Sequence, residues 1–264
     1  MFGITTKEKI SELLLTSYAA WDGFISHIWA SLLSHCNLPL DGVFVEIAPG
    51  TSPKIALALK EINFNGEIYI IEPYEKALDL ILSKYQEILP EVIVHPVNHL
   101  LKDCFKHLPK SIDCIISHHP LDDMIMAMDG EPEIFEKLFS WVSQDKLEIH
   151  QSFALHWQQI LAQPEKVRTI ENQIINQWFS LIKKVNPRWL MISQYPSLVL
   201  EAEYTKELNL CAQKLLLKIK SHLHTYLIED RIIQSVLNNY PNYNFDLLGN
   251  EVLNSKNWLI YSRQ

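Results

Sequence analysis

Val43-Phe44-Val45-Glu46-Ile47-Ala48-Pro49-Gly50-Thr51-Ser52-Pro53-Lys54-Ile55-Ala56-Leu57-Ala58-Leu59 reads as a buried strand ending in a carboxylate, a tight turn and the start of a helix. Ser52 is a suitable N-cap and Pro53 a suitable first helical residue. Gly50 lets the turn's backbone come close to a ligand. Outward from this stretch, Asp41–Gly42 marks a turn, and short apolar runs recur at Glu67–Ile71, Val92–Val97 and Ile112–Ser117. Between them, Pro53–Ile62, Tyr74–Ile88 and a piece near Leu100–Leu108 have helical spacing. Strands alternating with helices imply βαβ units. The expected fold is therefore α/β, a doubly wound and mostly parallel sheet with right-handed crossovers.

The rhythm changes on both sides of this core. The first forty residues read as a helical segment, with Ile10, Leu13, Leu14, Tyr18, Trp21 and Phe24–Ile25 at helical spacing. After the fourth strand, residues 121–187 carry two long helical patterns, Gln144–Leu161 and Glu165–Lys183, and no good strand. They read as an insertion or cap over one end of the sheet, with ordinary crossover helices as the other option. Trp189–Gln194 reads as a fifth buried strand, Leu200–Tyr226 as a long helix and Trp258–Ser262 as an edge strand. The expected organisation is one domain, with an N-terminal helical segment over 1–40 and the α/β unit over 41–264.

Composition narrows the function classes. The chain has 264 residues, 48% hydrophobic and 20% charged, as in ordinary globular proteins. With 31 acidic and 23 basic residues the formal charge is −8, which disfavours binding to phosphate backbones or anionic lipid. A small-molecule partner, no nucleic acid and no membrane are expected. No secretory signal is read at the start, and the uncharged run Gly23–Leu40 is too polar to span a bilayer. Cys36, Cys104, Cys114 and Cys211 lie far apart, which fits free thiols in a reducing cytoplasm.

The opening stretch resembles motif I of the class I S-adenosylmethionine-dependent methyltransferases, a Rossmann-like family. That motif runs apolar residues, an acid, then Gly-x-Gly-x-Gly; here the acid is Glu46 and the glycine positions are Ala48, Gly50 and Ser52. The second strand ends Tyr69-Ile70-Ile71-Glu72-Pro73. The resemblance implies that Glu72 accepts the ribose hydroxyls of the cofactor. It places Asn98 near the adenine and Ser117–Leu121 where the methyl acceptor is positioned. S-adenosyl-L-methionine is thus the implied cofactor, held by Glu46, Ala48, Gly50, Ser52, Glu72, Asn98 and Ser117. A dinucleotide fingerprint would need glycines at Ala48, Gly50 and Pro53, and Pro53 has no amide hydrogen for a pyrophosphate.

Ser117-His118-His119-Pro120-Leu121-Asp122-Asp123 places two imidazoles and two carboxylates at the expected ligand edge. Histidine suits proton transfer near neutrality, so His118, His119 and Asp122 are the candidates for base or orientation work. The plainer reading makes Asp122 or Asp123 the cap of a helix beginning near Met124. No metal is assigned, since adjacent residues rarely converge on one ion and His95, His99, His150 and His156 are unplaced. Tyr18 and Trp21 read as core or pocket lining, and Trp141, Trp157 and Trp178 as helix packing or an acceptor pocket. The activity read from this is methyl transfer to a small molecule. Aminocarboxypropyl transfer from the same cofactor, as in nicotianamine-synthase-like proteins, and a non-catalytic binding module are the alternatives.

Overall fold

The computed structural model describes residues 18–128, 155–195, 202–223, 226–240 and 252–263. Helix α1 (Tyr18–His35) precedes β1 (Val43–Ile47), α2 (Lys54–Glu61), β2 (Glu67–Ile71), α3 (Glu75–Ile88) and β3 (Ile93–Val97). A 3₁₀ turn at Cys104–His107 leads to β4 (Cys114–His118) and α4 (Leu121–Ala127). Residues 155–161 are helical, followed by α5 (Pro164–Val185), β5 (Trp189–Ser193), α6 (Ala202–His222), α7 (Asp230–Leu237) and β6 (Trp258–Ser262).

The sheet order is β3-β2-β1-β4-β5-β6, with every pairing parallel except β5 with β6. This is the doubly wound, mostly parallel sheet expected, and the strand order reverses between β1 and β4. In such sheets ligands bind outside the carboxyl ends of the strands at this switch point.

Strand alternation sends side chains to two cores. Phe44, Ile68, Ile70, Cys114, Ile116, Met191, Trp258 and Ile260 face one, with Ile25, Ile28, Trp29, Leu32 and Leu33 of α1. Val45, Ile47, Ile71, Ile115, Leu190, Ile192 and Leu259 face the other, beneath α4, α5 and α6. The stripe Ile170, Ile174, Trp178 and Leu181 seats α5 on the sheet face, and α5 runs straight into β5, so its described part is a crossover helix. Each fully buried side chain contributes roughly 1.5–3 kcal/mol. Trp21, Trp157 and Trp178 are core; Trp141, His150 and the first part of Gln144–Leu161 lie outside the described residues.

Some local expectations are corrected. The helical piece near Leu100–Leu108 shrinks to the 3₁₀ turn, because Leu108 precedes a proline and is extended (φ −91°, ψ 148°). Ser52 does not cap α2: the capping position is Pro53, with no side-chain bond, and Ser52 turns toward Asp22 and Lys54. Helix α4 starts at Leu121, and neither Asp122 nor Asp123 caps it. The Leu121 amide instead donates to Gln194 Oε1 (2.9 Å), an acceptor delivered from the end of β5, while both aspartates sit in the first turn, where the helix dipole favours them.

No helix among the described residues is long and apolar enough to cross a membrane.

Candidate active site

The chain has only 7 glycines, and among the described residues left-handed backbone falls mostly on other residue types. Asn37, Asn63 and Asn186 adopt it just past helix ends, where asparagine is tolerated. The other two non-glycine cases are Ala48 (φ 52°) and His119 (φ 59°). They follow β1 and β4, the two strands that flank the switch point. A left-handed alanine costs on the order of 1 kcal/mol, and such strain concentrates at functional sites. Ala48 and Gly50 (φ 57°) thus keep the turn open in a form usually given to glycine.

Glu72, at the end of β2, closes this turn. It is 2% exposed, and its two oxygens accept from the amides of Gly50 (3.1 Å) and Tyr74 (3.2 Å). Burial pushes its carboxyl up to about 7 despite those amides. Asn98 braces the same corner by donating to the carbonyls of Glu72 and Pro73, both at 3.1 Å. Ser117 donates to the Ile47 carbonyl (2.6 Å) and so ties β4 to β1.

Glu46 lies on the opposite side of its strand from Val45 and Ile47 and is 1% exposed. The Tyr85 hydroxyl donates to its Oε2 at 2.6 Å. Burial raises its carboxyl to about 8, against the Tyr85 bond, with Glu72 pushing the same way. Between the ordinary carboxylate range and pH 8, the folded chain therefore holds a proton that the unfolded chain has released. Stability falls as pH rises through this window, by about 1.4 kcal/mol per unit of pKa difference. The expected result is a lower thermal unfolding midpoint at about pH 8.5 than at about pH 6.5, and a smaller difference in Glu46→Gln. An equal pH dependence in both proteins would contradict the buried acid.

The two histidines are held very differently. Trp29 Nε1–H, which can only donate, lies 3.0 Å from His118 Nδ1, and the Ser193 hydroxyl lies 2.9 Å from the same nitrogen. His118 Nδ1 is therefore unprotonated, and its Nε2–H donates to the Tyr195 hydroxyl oxygen at 3.0 Å. Burial, then the charges of Lys54 and His119, hold His118 well below the ordinary histidine value. His119 lies between two acceptors: Nδ1 is 3.1 Å from Asp122 Oδ1, and Nε2 bonds the Tyr195 carbonyl. Burial alone would lower it, but Asp122 and that carbonyl hold it above its ordinary value. His118 is thus a neutral, fixed imidazole, and His119 is the one poised to be cationic.

Several partners were not legible beforehand: Tyr85, Trp29, Gln194, Tyr195, and the Asp22–Lys54 ion pair (3.0 Å) that pins α1 to the turn. Gln194 and Tyr195 did carry a signal, since residues just past a strand next to β4 must emerge beside His118. His95 instead pairs with Glu67 and stacks on Tyr69, and His99 stacks on His107. No group of three His, Cys, Asp or Glu residues among those described is arranged to hold a metal.

No family model matches the sequence, and no curated protein sequence is similar to it. Similar solved structures include a chain of a fibrillarin/Nop5p complex, at 17% identity over 36% of this chain and 45% of that one, TM-score 0.27. An Aquifex aeolicus SAM-dependent methyltransferase is similar at 13% identity over 80% and 87%, TM-score 0.38. The METTL16 methyltransferase domain is similar at 14% identity over 71% and 56%, TM-score 0.35. The chain spans about half the length of the first and third of these. The expectations of an acceptor confined to small molecules and of no nucleic acid are withdrawn, because the whole-chain charge that carried them does not decide them. Net charge averages over a whole surface, whereas partner choice depends on local patches.

Proposed function

We propose that this chain binds S-adenosylmethionine at the carboxyl edge of β1 and β2 and transfers its methyl group. The observation that carries the reading is the left-handed backbone at Ala48 and Gly50, which preserves a glycine-type turn where one of the three glycines remains. The residues present fit the cofactor. Each Glu72 oxygen accepts one amide and keeps a lone pair, so the pair of oxygens matches a ribose diol. Ala48 and Gly50 offer little side chain to obstruct a nucleoside, and Asn98 fixes the corner from which Glu72 projects. S-adenosylmethionine supplies an electrophilic methyl carbon on a sulfonium. On the other side of the switch point, His119 holds a proton against Asp122 and becomes a base once that proton leaves.

Calorimetric titration with S-adenosylmethionine, S-adenosylhomocysteine, methylthioadenosine and NAD tests this reading. The first two are expected to bind tightly, methylthioadenosine more weakly and NAD not at all. Binding of NAD alone would replace the reading. Glu72→Ala is expected to weaken S-adenosylmethionine by roughly 10–100-fold, about 1.5–3 kcal/mol, with the fold retained. Unchanged affinity would remove Glu72 from the site.

A second reading, a binding module without turnover, is favoured by one observation: both ring nitrogens of His118 and of His119 are engaged within the protein. The product separates the readings. S-adenosylhomocysteine marks methyl transfer, methylthioadenosine marks aminocarboxypropyl transfer, and cofactor binding with neither product marks the module.

A further inference from the structure

A cavity of about 590 Å³ opens at the other end of the sheet, between the end of α1, the start of β5 and α7. Its walls include Leu32, Cys36, Trp189, Ile233 and Ile260, all buried. Burial pushes the Cys36 thiol up to about 12, so it is a neutral part of the wall. A volume of this size falls within the roughly 300–1,000 Å³ typical of small-ligand sites, which are apolar with a few polar groups at fixed positions.

A cationic side chain on its rim distinguishes this space from a packing gap. Arg188 lies on its exposed rim, and its guanidinium has no ion pair or hydrogen bond among the described residues. His35 lines it as well. The acids of the neighbouring α7 segment are already paired: Glu229 with Arg231, and Asp230 with Lys220. In the wall, Trp189 is 6% exposed and adds aromatic surface.

We propose that this cavity binds an amphiphilic monocarboxylate, with its hydrocarbon chain among Leu32, Ile233 and Ile260 and its carboxylate at Arg188. Arginine matches a carboxylate in bidentate geometry, and the apolar walls take the chain out of water. The site is separate from the carboxyl edge and does not depend on the cofactor reading.

Calorimetric titration of the whole chain with decanoate, below its micellar range, provides the test, with decylammonium and acetate as head-group and chain controls. Saturable one-to-one binding of decanoate is expected, with both controls at least about tenfold weaker. Arg188→Gln is expected to weaken decanoate about tenfold or more. Ile232→Trp, at a half-buried lining position, is expected to fill the space and remove binding. Ile228→Trp, also half-buried, gives the same result from a second position if the first variant unfolds. Decanoate that fails to saturate, binds Arg188→Gln as well as the unaltered chain, or is matched by decylammonium overturns the proposal. So does unaltered decanoate binding in a folded cavity-filling variant.

Discussion

Gly50→Val is expected to abolish S-adenosylmethionine binding while leaving the chain folded. Gly50 has φ 57°, a region that a β-branched side chain enters only with strain of roughly 1–3 kcal/mol. The turn can relieve that strain by flipping back toward negative φ. That movement carries the Gly50 amide away from Glu72, 3.1 Å distant, and so loosens the carboxylate assigned to the ribose. The added methyl groups also occupy the approach that a glycine leaves clear. Together these effects predict a loss of roughly 100-fold or more, about 2.7 kcal/mol of binding. Calorimetry measures the loss, and thermal unfolding checks the fold, whose two cores do not include Gly50. Gly50→Ala, with the same φ restriction but less bulk, is expected to fall between the two. Retained affinity in Gly50→Val would separate the turn from the ligand and undo the functional reading.

The second large effect divides two neighbouring histidines. His119→Ala is expected to keep cofactor affinity and to lose roughly 10²–10⁴-fold in the rate of S-adenosylhomocysteine formation, as the loss of a general base does. The activity of the unaltered chain is then expected to rise with pH through a value above the ordinary histidine pKa, because His119 must shed the proton that Asp122 and the Tyr195 carbonyl favour. His118→Ala is expected to act on stability first. It strands the Trp29 indole N–H and the Ser193 hydroxyl, each about 1–3 kcal/mol when left unpaired in a buried setting. His119→Ala also strands Asp122 and the Tyr195 carbonyl, so a lower unfolding midpoint is expected in both variants, and a loss of turnover at retained cofactor affinity is what sets His119→Ala apart. If His119→Ala retains full turnover, the catalytic assignment fails and Asp122 becomes the next residue to test.

The structure also changes what the His118–Asp123 stretch means. The residue types alone leave a catalytic cluster and a simple helix cap both open. The cap reading fails because Gln194, 0% exposed, reaches α4 first: its oxygen takes the Leu121 amide and its nitrogen donates to Asp122 Oδ1 at 3.2 Å. Asp122 is thereby held beside His119 rather than spent on the helix end. The neighbouring Asp123 is pushed upward by burial and by Asp122, so the pair does not present two equal charges.

Local pattern was enough to place β1, β2 and β6 residue for residue, to put Trp189–Ser193 in a buried strand, and to find α2, α3 and α5 within a residue or two. Hydrophobic periodicity is a short-range property, and each of these elements carries its own period in a handful of consecutive residues. The stretch from Glu46 to Ser52 likewise announced a turn at the ligand edge. What no local pattern carries is the partner each buried polar group finds. Tyr85 reaches Glu46 across 39 residues, Trp29 reaches His118 across 89, and Tyr195 reaches His118 across 77. Those pairings set which carboxyl stays protonated and which imidazole stays neutral, because burial and hydrogen bonding shift a pKa only once the chain is folded. Sequence by itself determined the alternation of elements and the location of the candidate site. Tertiary structure decided the charge, the tautomer and the freedom of the groups within it, since these depend on contacts between strands that meet only in the folded sheet.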